Sequence, residues 1–180
     1  MSGRKSIIIK LALLVTLAAG FMPIVASSQS EQVFVNEAGG FKISLTEGWQ
    51  PISYTDAVGH HKTEFVFRDR SEGLLRIGRQ SLNGRSLDDF VRGEEEALRC
   101  SYTCEIHSKE PFQGERLSGV RMAIYYVEDG RLIAGTYYFL QDGKTVWILR
   151  FTGRPGSPAL AREVTDRMAR SFQPTAGIRD

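Results

Sequence analysis

Phe41, Ile43 and Leu45 alternate with Lys42 and Ser44, the period-two pattern of a strand with one buried face. The Gly48-Trp49-Gln50-Pro51 stretch reads as its end, and two further strands are predicted at 63–68 and 74–80. Ser86, followed by Leu87, Asp88 and Asp89, predicts a helix start. Its hydroxyl can cap unpaired N–H groups, and the two carboxylates suit the positive end of the helix dipole. That helix runs to about residue 99, with Leu87, Phe90, Val91 and Leu98 on one stripe.

After Pro111 the pattern becomes a meander. Apolar runs at 112–117, 120–127, 132–140 and 145–152 are linked by Ser118-Gly119, Asp129-Gly130 and Asp142-Gly143, and Asp-Gly is a strong hairpin signal. The segments MAIYYV (122–127), TYYFL (136–140) and VWILRF (146–151) barely alternate, so both their faces are expected to be covered. A second helix is available for that cover. Ser157-Pro158 is a sound helix opening, and Leu160, Val164, Met168 and Phe172 then recur every four residues. The expected architecture is α+β, an antiparallel sheet sandwiched by helices.

The 180 residues are 42% hydrophobic and 24% charged, which suits one globular domain and excludes collagen-like, coiled-coil and disordered chains. The ends read differently. Positive charge in the first ten residues, the twelve-residue apolar run LALLVTLAAGFM (11–22), Pro23 and small residues at Ala26–Ser28 have the layout of a secretory signal peptide. Cleavage after Ala26 or Ser28 is expected, the alternative being an uncleaved anchor. A polar leader (29–32), one domain (33–173) and a disordered tail (174–180) would follow. Arg4, Lys5 and Lys10 account for three of the 23 basic residues and no acid accompanies them, so the rest carries 20 basic against 21 acidic residues. A mature protein near neutrality has no charge surplus for nucleic acid. The expected location is the periplasm or the exterior.

The segment FKISLTEGW (41–49), the helix SLDDFVRGEEEAL (86–98), the meander and a final helix ending Arg170-Ser171-Phe172 occur in that order. Together they resemble the PsbP-like family, which comprises the extrinsic photosystem subunit, its bacterial relatives and a nuclear Ran-binding relative. The resemblance spans about 33–173. It implies a PsbP-like α/β/α sandwich and non-enzymatic work in assembly, docking or chaperone-like binding, with no shared catalytic residues to carry over. A nuclear role conflicts with the export signal, and nothing specific to photosynthesis accompanies the match.

Candidate chemistry is sparse. Cys100 and Cys104 fall four apart at the expected helix end, where helical geometry puts their Cα atoms about 6 Å apart, within disulfide range. A structural disulfide is the first reading. Free thiols and a redox or metal site with His107 are the alternatives, although Cys-x-x-Cys spacing is absent. His60-His61 with Glu64 has half of an inverted zinc-protease motif, but Phe65 stands where the second His is needed. Gly143-Lys144-Thr145 lacks the earlier glycine of a phosphate loop, since residue 138 is Tyr138, and it leads into a strand. Glu94 falls near the centre of the apolar helix stripe, which predicts an ion pair with an arginine such as Arg76 or Arg79, or a functional opening in the core. No catalytic, cofactor or metal residues are assigned. The sequence therefore favours an exported non-catalytic module that binds an envelope or secreted protein. A carrier of a small hydrophobic ligand, or less favourably an enzyme or metal-handling protein built on Glu94, His60, His61, His107 or the cysteines, would be the alternatives.

Overall fold

The computed structural model describes residues 32–59 and 61–175. The expected signal peptide, residues 29–31 of the leader, His60 and residues 176–180 of the tail lie outside them.

The strands are β1 (Gln32–Asn36), β2 (Phe41–Leu45), β3 (Trp49–Thr55), β4 (His61–Phe67), β5 (Gly73–Ser81), β6 (Cys104–Gln113), β7 (Ser118–Glu128), β8 (Arg131–Asp142), β9 (Thr145–Gly153) and the short β10 (Gln173–Pro174). Helix α1 (Leu87–Ser101) lies between β5 and β6, and α2 (Arg162–Ser171) between β9 and β10. Seven strands form one antiparallel sheet in the order β3-β4-β5-β9-β8-β7-β6, and β1-β2-β10 form a second, small one.

The non-alternating strands are explained by two cores. Met122, Ile124, Tyr137, Phe139, Val146 and Ile148 pack with Phe90 and Val91 of α1. Their neighbours of opposite parity, Tyr138, Leu140, Trp147, Leu149 and Phe151, pack with Phe41, Ile43 and Leu45 of β2 and with Met168, Ala169 and Phe172. Successive strand residues point to opposite faces, so an apolar run in β8 or β9 serves both cores at once.

Local chemistry sets the boundaries. The Ser86 hydroxyl accepts the Asp89 N–H (3.1 Å) while donating to the Asp89 carboxylate (2.7 Å), a reciprocal cap for α1. Asp129 and Gly130 both take positive φ (50° and 73°) in the β7–β8 hairpin, the conformation a two-residue primed turn requires. Several expected boundaries are corrected. Trp49–Thr55 is itself a strand, and β6 begins eight residues before the expected 112. Ser118-Gly119 lies inside β7, not in a turn. A Cβ at Gly119 would run into the Phe139 carbonyl, so glycine is there for close approach of two strands. Ser157-Pro158 opens only a 3-10 turn (Pro158–Leu160); Ala161 breaks to ψ 137°, and its carbonyl then accepts the first bonds of α2. Pro174 pairs with Phe41 and Thr175 donates to the Gly40 carbonyl, so ordered chain continues past the expected end at Gln173.

Candidate binding groove

Cross-strand register brings charge onto the face covered by α1. Glu64 of β4 stands opposite Arg76 of β5, Arg76 opposite Arg150 of β9, and Arg150 opposite Tyr137 of β8. Paired residues of antiparallel strands project to the same side. Helix α1 covers only part of this row, and a groove of roughly 690 Å³ opens beside its C-terminal half. Arg76 and Arg150 line it with Tyr102, Tyr126 and Tyr137, and Arg70, Arg131 and Arg154 stand around them.

Acids set into the protein hold most of these guanidinium groups. Glu64, 3% exposed, accepts Arg76 Nε at 2.7 Å and faces Arg70 Nη2 at 2.9 Å. Burial pushes its carboxyl up, but the Arg76 hydrogen bond and charge, with Arg70 beyond, outweigh this and hold it below the usual range. Glu72 holds Arg154 Nη2 at 2.6 Å, and Glu94 accepts Arg150 Nη2 at 2.9 Å. Arg131 is exposed and makes no ion pair among the described residues. Burial, then the neighbouring Tyr126, pushes the Tyr137 hydroxyl far above its ordinary range, and burial followed by Glu128 raises Tyr126. Both remain neutral donors near pH 7. The Arg150 guanidinium also lies 5.8 Å from the centre of the Tyr137 ring.

The opposite face carries a second polar row. Glu110, Arg121 and Tyr138 stand side by side on β6, β7 and β8. The Tyr138 hydroxyl donates to Asp166 of α2 at 2.6 Å, and Arg121 reaches Glu110 at 3.0 Å and Asp166 at 3.4 Å. Burial, followed by the hydrogen bond to Asp166, pushes the Tyr138 phenol far up, so it remains a donor. These groups pin α2 to the sheet. The concavity beside them, about 650 Å³ between α2 and β2, is lined by α2 side chains such as Arg162 and Arg170 that already reach Asp166.

The sequence candidates land apart. Glu94 is half-buried in an ion pair as expected, but its partner is Arg150. Arg76 belongs to Glu64, and Arg79 lies on the other face over Trp147. Cys100 and Cys104 stand as free thiols. The helical spacing argued for their disulfide does not hold, because α1 ends at Ser101 and Tyr102 turns to extended backbone (φ −140°) before Cys104 opens β6. Burial raises the Cys104 thiol pKa. His61 is exposed, with Nδ1 3.1 Å from Thr55 Oγ1, while His107 sits at a bulge in the edge strand β6, edge-on to Tyr125. Five strand steps separate β4 from β6, roughly 24 Å at about 4.8 Å each, so these histidines cannot share a metal. Among the described residues no three His, Cys, Asp or Glu side chains are grouped to hold a metal ion, and no helix is long and apolar enough to cross a membrane. Sequence reasoning missed Glu64 as an ion-pair centre, together with Arg150, Arg121 and Asp166. The signal for Glu64 was available: an acid in the apolar run of β4 requires a partner.

No family model and no curated protein sequence matches the chain. Solved structures do. Cyanobacterial PsbP from Synechocystis is 12% identical with a TM-score of 0.57, over 83% of this chain and 95% of that one. The fold is PsbP-like. The Ran-binding protein Mog1p of Saccharomyces cerevisiae has a TM-score of 0.58 at 10% identity, covering 82% of this chain and 96% of its own. LpqN of Mycobacterium tuberculosis, described as involved in cell envelope biogenesis, has a TM-score of 0.55 at 9% identity over 81% and 91%. At these identities the likeness concerns the PsbP-like fold, an antiparallel sheet with two helices.

Proposed function

We propose that the protein is an exported, non-catalytic binding module of the cell envelope that holds a segment of a partner protein in the groove beside α1. In this reading the PsbP-like sheet is the middle layer of a sandwich, α2 and the small sheet stabilise its back, and α1 frames the working face. The observation that carries it is the groove: roughly 690 Å³, open, with tyrosine surface between guanidinium groups positioned by buried Glu64 and half-buried Glu94. Oriented donors beside aromatic surface are the composition of a recognition site. A carrier of a hydrophobic molecule would instead enclose an apolar cavity. Export rests on the signal-like residues 1–28. The Ran-binding description of Mog1p and the envelope role given for LpqN lend fold-level support.

Site-specific photocrosslinking in the native host tests the proposal. A photoreactive residue at Leu132, on the groove rim, is expected to give a discrete adduct with one protein. The same residue at Val58, exposed in the β3–β4 loop, is expected to give none. Ala97→Trp, which fills the groove without changing charge, should abolish the Leu132 adduct. Equal adducts from both positions, or an adduct that survives Ala97→Trp, would overturn the reading.

A further inference from the structure

Arg76 and Arg150 are directly opposed residues on neighbouring antiparallel strands. Like charges in that position repel, and a sheet does not gain from placing them there. The flanking acids relieve each arginine from the outside only. Glu64 takes Nε of Arg76, and Glu94 takes one Nη of Arg150 from the helix side. Both Nη groups of Arg76, and Nη1 and Nε of Arg150, have no hydrogen-bond partner among the described residues. The Arg76 and Arg150 side chains remain 61% and 37% exposed. Two guanidinium forks are thus each fixed on one side, and their unused donors share one groove.

A planar oxyanion between them would accept from both forks and cancel their repulsion, the arrangement in which arginine outperforms lysine. The groove is much larger than one anion, and its lining includes an apolar stretch, Leu98, Ile133 and the ring of Tyr126, beside Glu128, whose carboxylate accepts from the Tyr102 hydroxyl at 3.4 Å. This selects a polymer that carries carboxylates and an apolar side chain together. We infer that the occupant of the groove is an acidic segment of a partner protein, with an Asp or Glu carboxylate clamped between Arg76 and Arg150 and a neighbouring aliphatic or aromatic side chain on the Leu98–Tyr126 wall. Nearby Arg131 supplies a charge that no acid among the described residues occupies. The inference rests on the groove being the binding face and names the chemistry that the face takes.

The test is fluorescence anisotropy with the purified full chain and a labelled, end-capped peptide of glutamates around a central leucine. A peptide with every glutamate replaced by glutamine is the comparison. The acidic peptide should bind at least about tenfold more tightly, because charge-assisted hydrogen bonds are replaced by neutral ones. Arg76→Gln and Arg150→Gln should each weaken it by about tenfold or more, whereas Arg79→Gln, on the opposite face, should leave it unchanged. Glu94→Gln frees the remaining donor of Arg150 and should tighten binding several-fold, a gain that a poorly folded variant could not produce. Equal binding of the two peptides, losses shared by Arg79→Gln, or no gain in Glu94→Gln would each overturn the inference. So would displacement by inorganic phosphate at the peptide's own concentration, which would make this a free-anion site. If the Leu132 adduct forms and is lost in Ala97→Trp while the arginine variants behave like wild type, the groove reading stands and the acidic occupant falls.

Discussion

Glu64 shows how much one side chain can organise. It is an acid in a strand whose next three residues, Phe65, Val66 and Phe67, are buried, and it is itself buried. A carboxylate there is sustained by the guanidinium groups of Arg76 and Arg70, helped by a hydrogen bond from Tyr54. Its pKa is held below the ordinary 4.5, so its contribution to stability is fully present above that value and is lost as pH falls through the lower folded-state value. Glu64→Gln should therefore cost about 1–2 kcal/mol at pH 7, at the low end for a charged hydrogen bond because both arginines are more than half exposed. Melting curves across pH should converge for variant and wild type as the solution becomes acidic. A constant gap across the range would show that the charge does not matter.

At the scale of elements, what the sequence made legible followed packing on both faces. Strands β7–β9 and the start of α1 could be read because a doubly covered strand has little choice of residue and a cap has a fixed chemistry. Ser86→Ala should test that cap, lowering stability by about 1 kcal/mol in thermal or urea unfolding with the fold unchanged. Strand β3 was not legible, because Pro51 and exposed Ser53 and Thr55 resemble a turn. It is an edge strand, where proline is tolerated since one side has no partner. Strand β6, at the other edge, carries Pro111, Lys109 and a bulge, and was obscured for the same reason. The groove was hardest to see. Its arginines come from β5 and β9, more than seventy residues apart, and only register makes Arg76 and Arg150 neighbours. Glu94 was readable as an ion-pair acid because helix periodicity is local, whereas the choice among arginines was not local.

For the whole molecule, the division of labour between faces is the main consequence of the PsbP-like topology. The face bearing α2 is closed by aromatic packing and by the Tyr138–Asp166–Arg121 contacts, while the face bearing α1 is left partly open. The two polar rows differ accordingly. On the α2 face Arg121 is buried, with carboxylates of β6 and of α2 on either side of it. On the α1 face Arg76 and Arg150 each have an acid on one side and remain 61% and 37% exposed. The sheet can thus expose charge on one side without loosening its core, because the stabilising contacts are concentrated on the other.

The small sheet adds a matter of orientation. Its outer strands, β1 and β10, are the first and last of the described chain, and both flank β2 on the face away from α1. Gln32 and Thr175, where the described residues begin and end, therefore lie at the back of the molecule. A tether at either end, whether to a membrane, a surface or another domain, would turn the groove outward like the palm of a hand held by its back. Immobilised through either terminus, the protein should bind the acidic peptide as it does in free solution. Attachment through a cysteine introduced at Leu132, with Cys100 and Cys104 replaced, should block it.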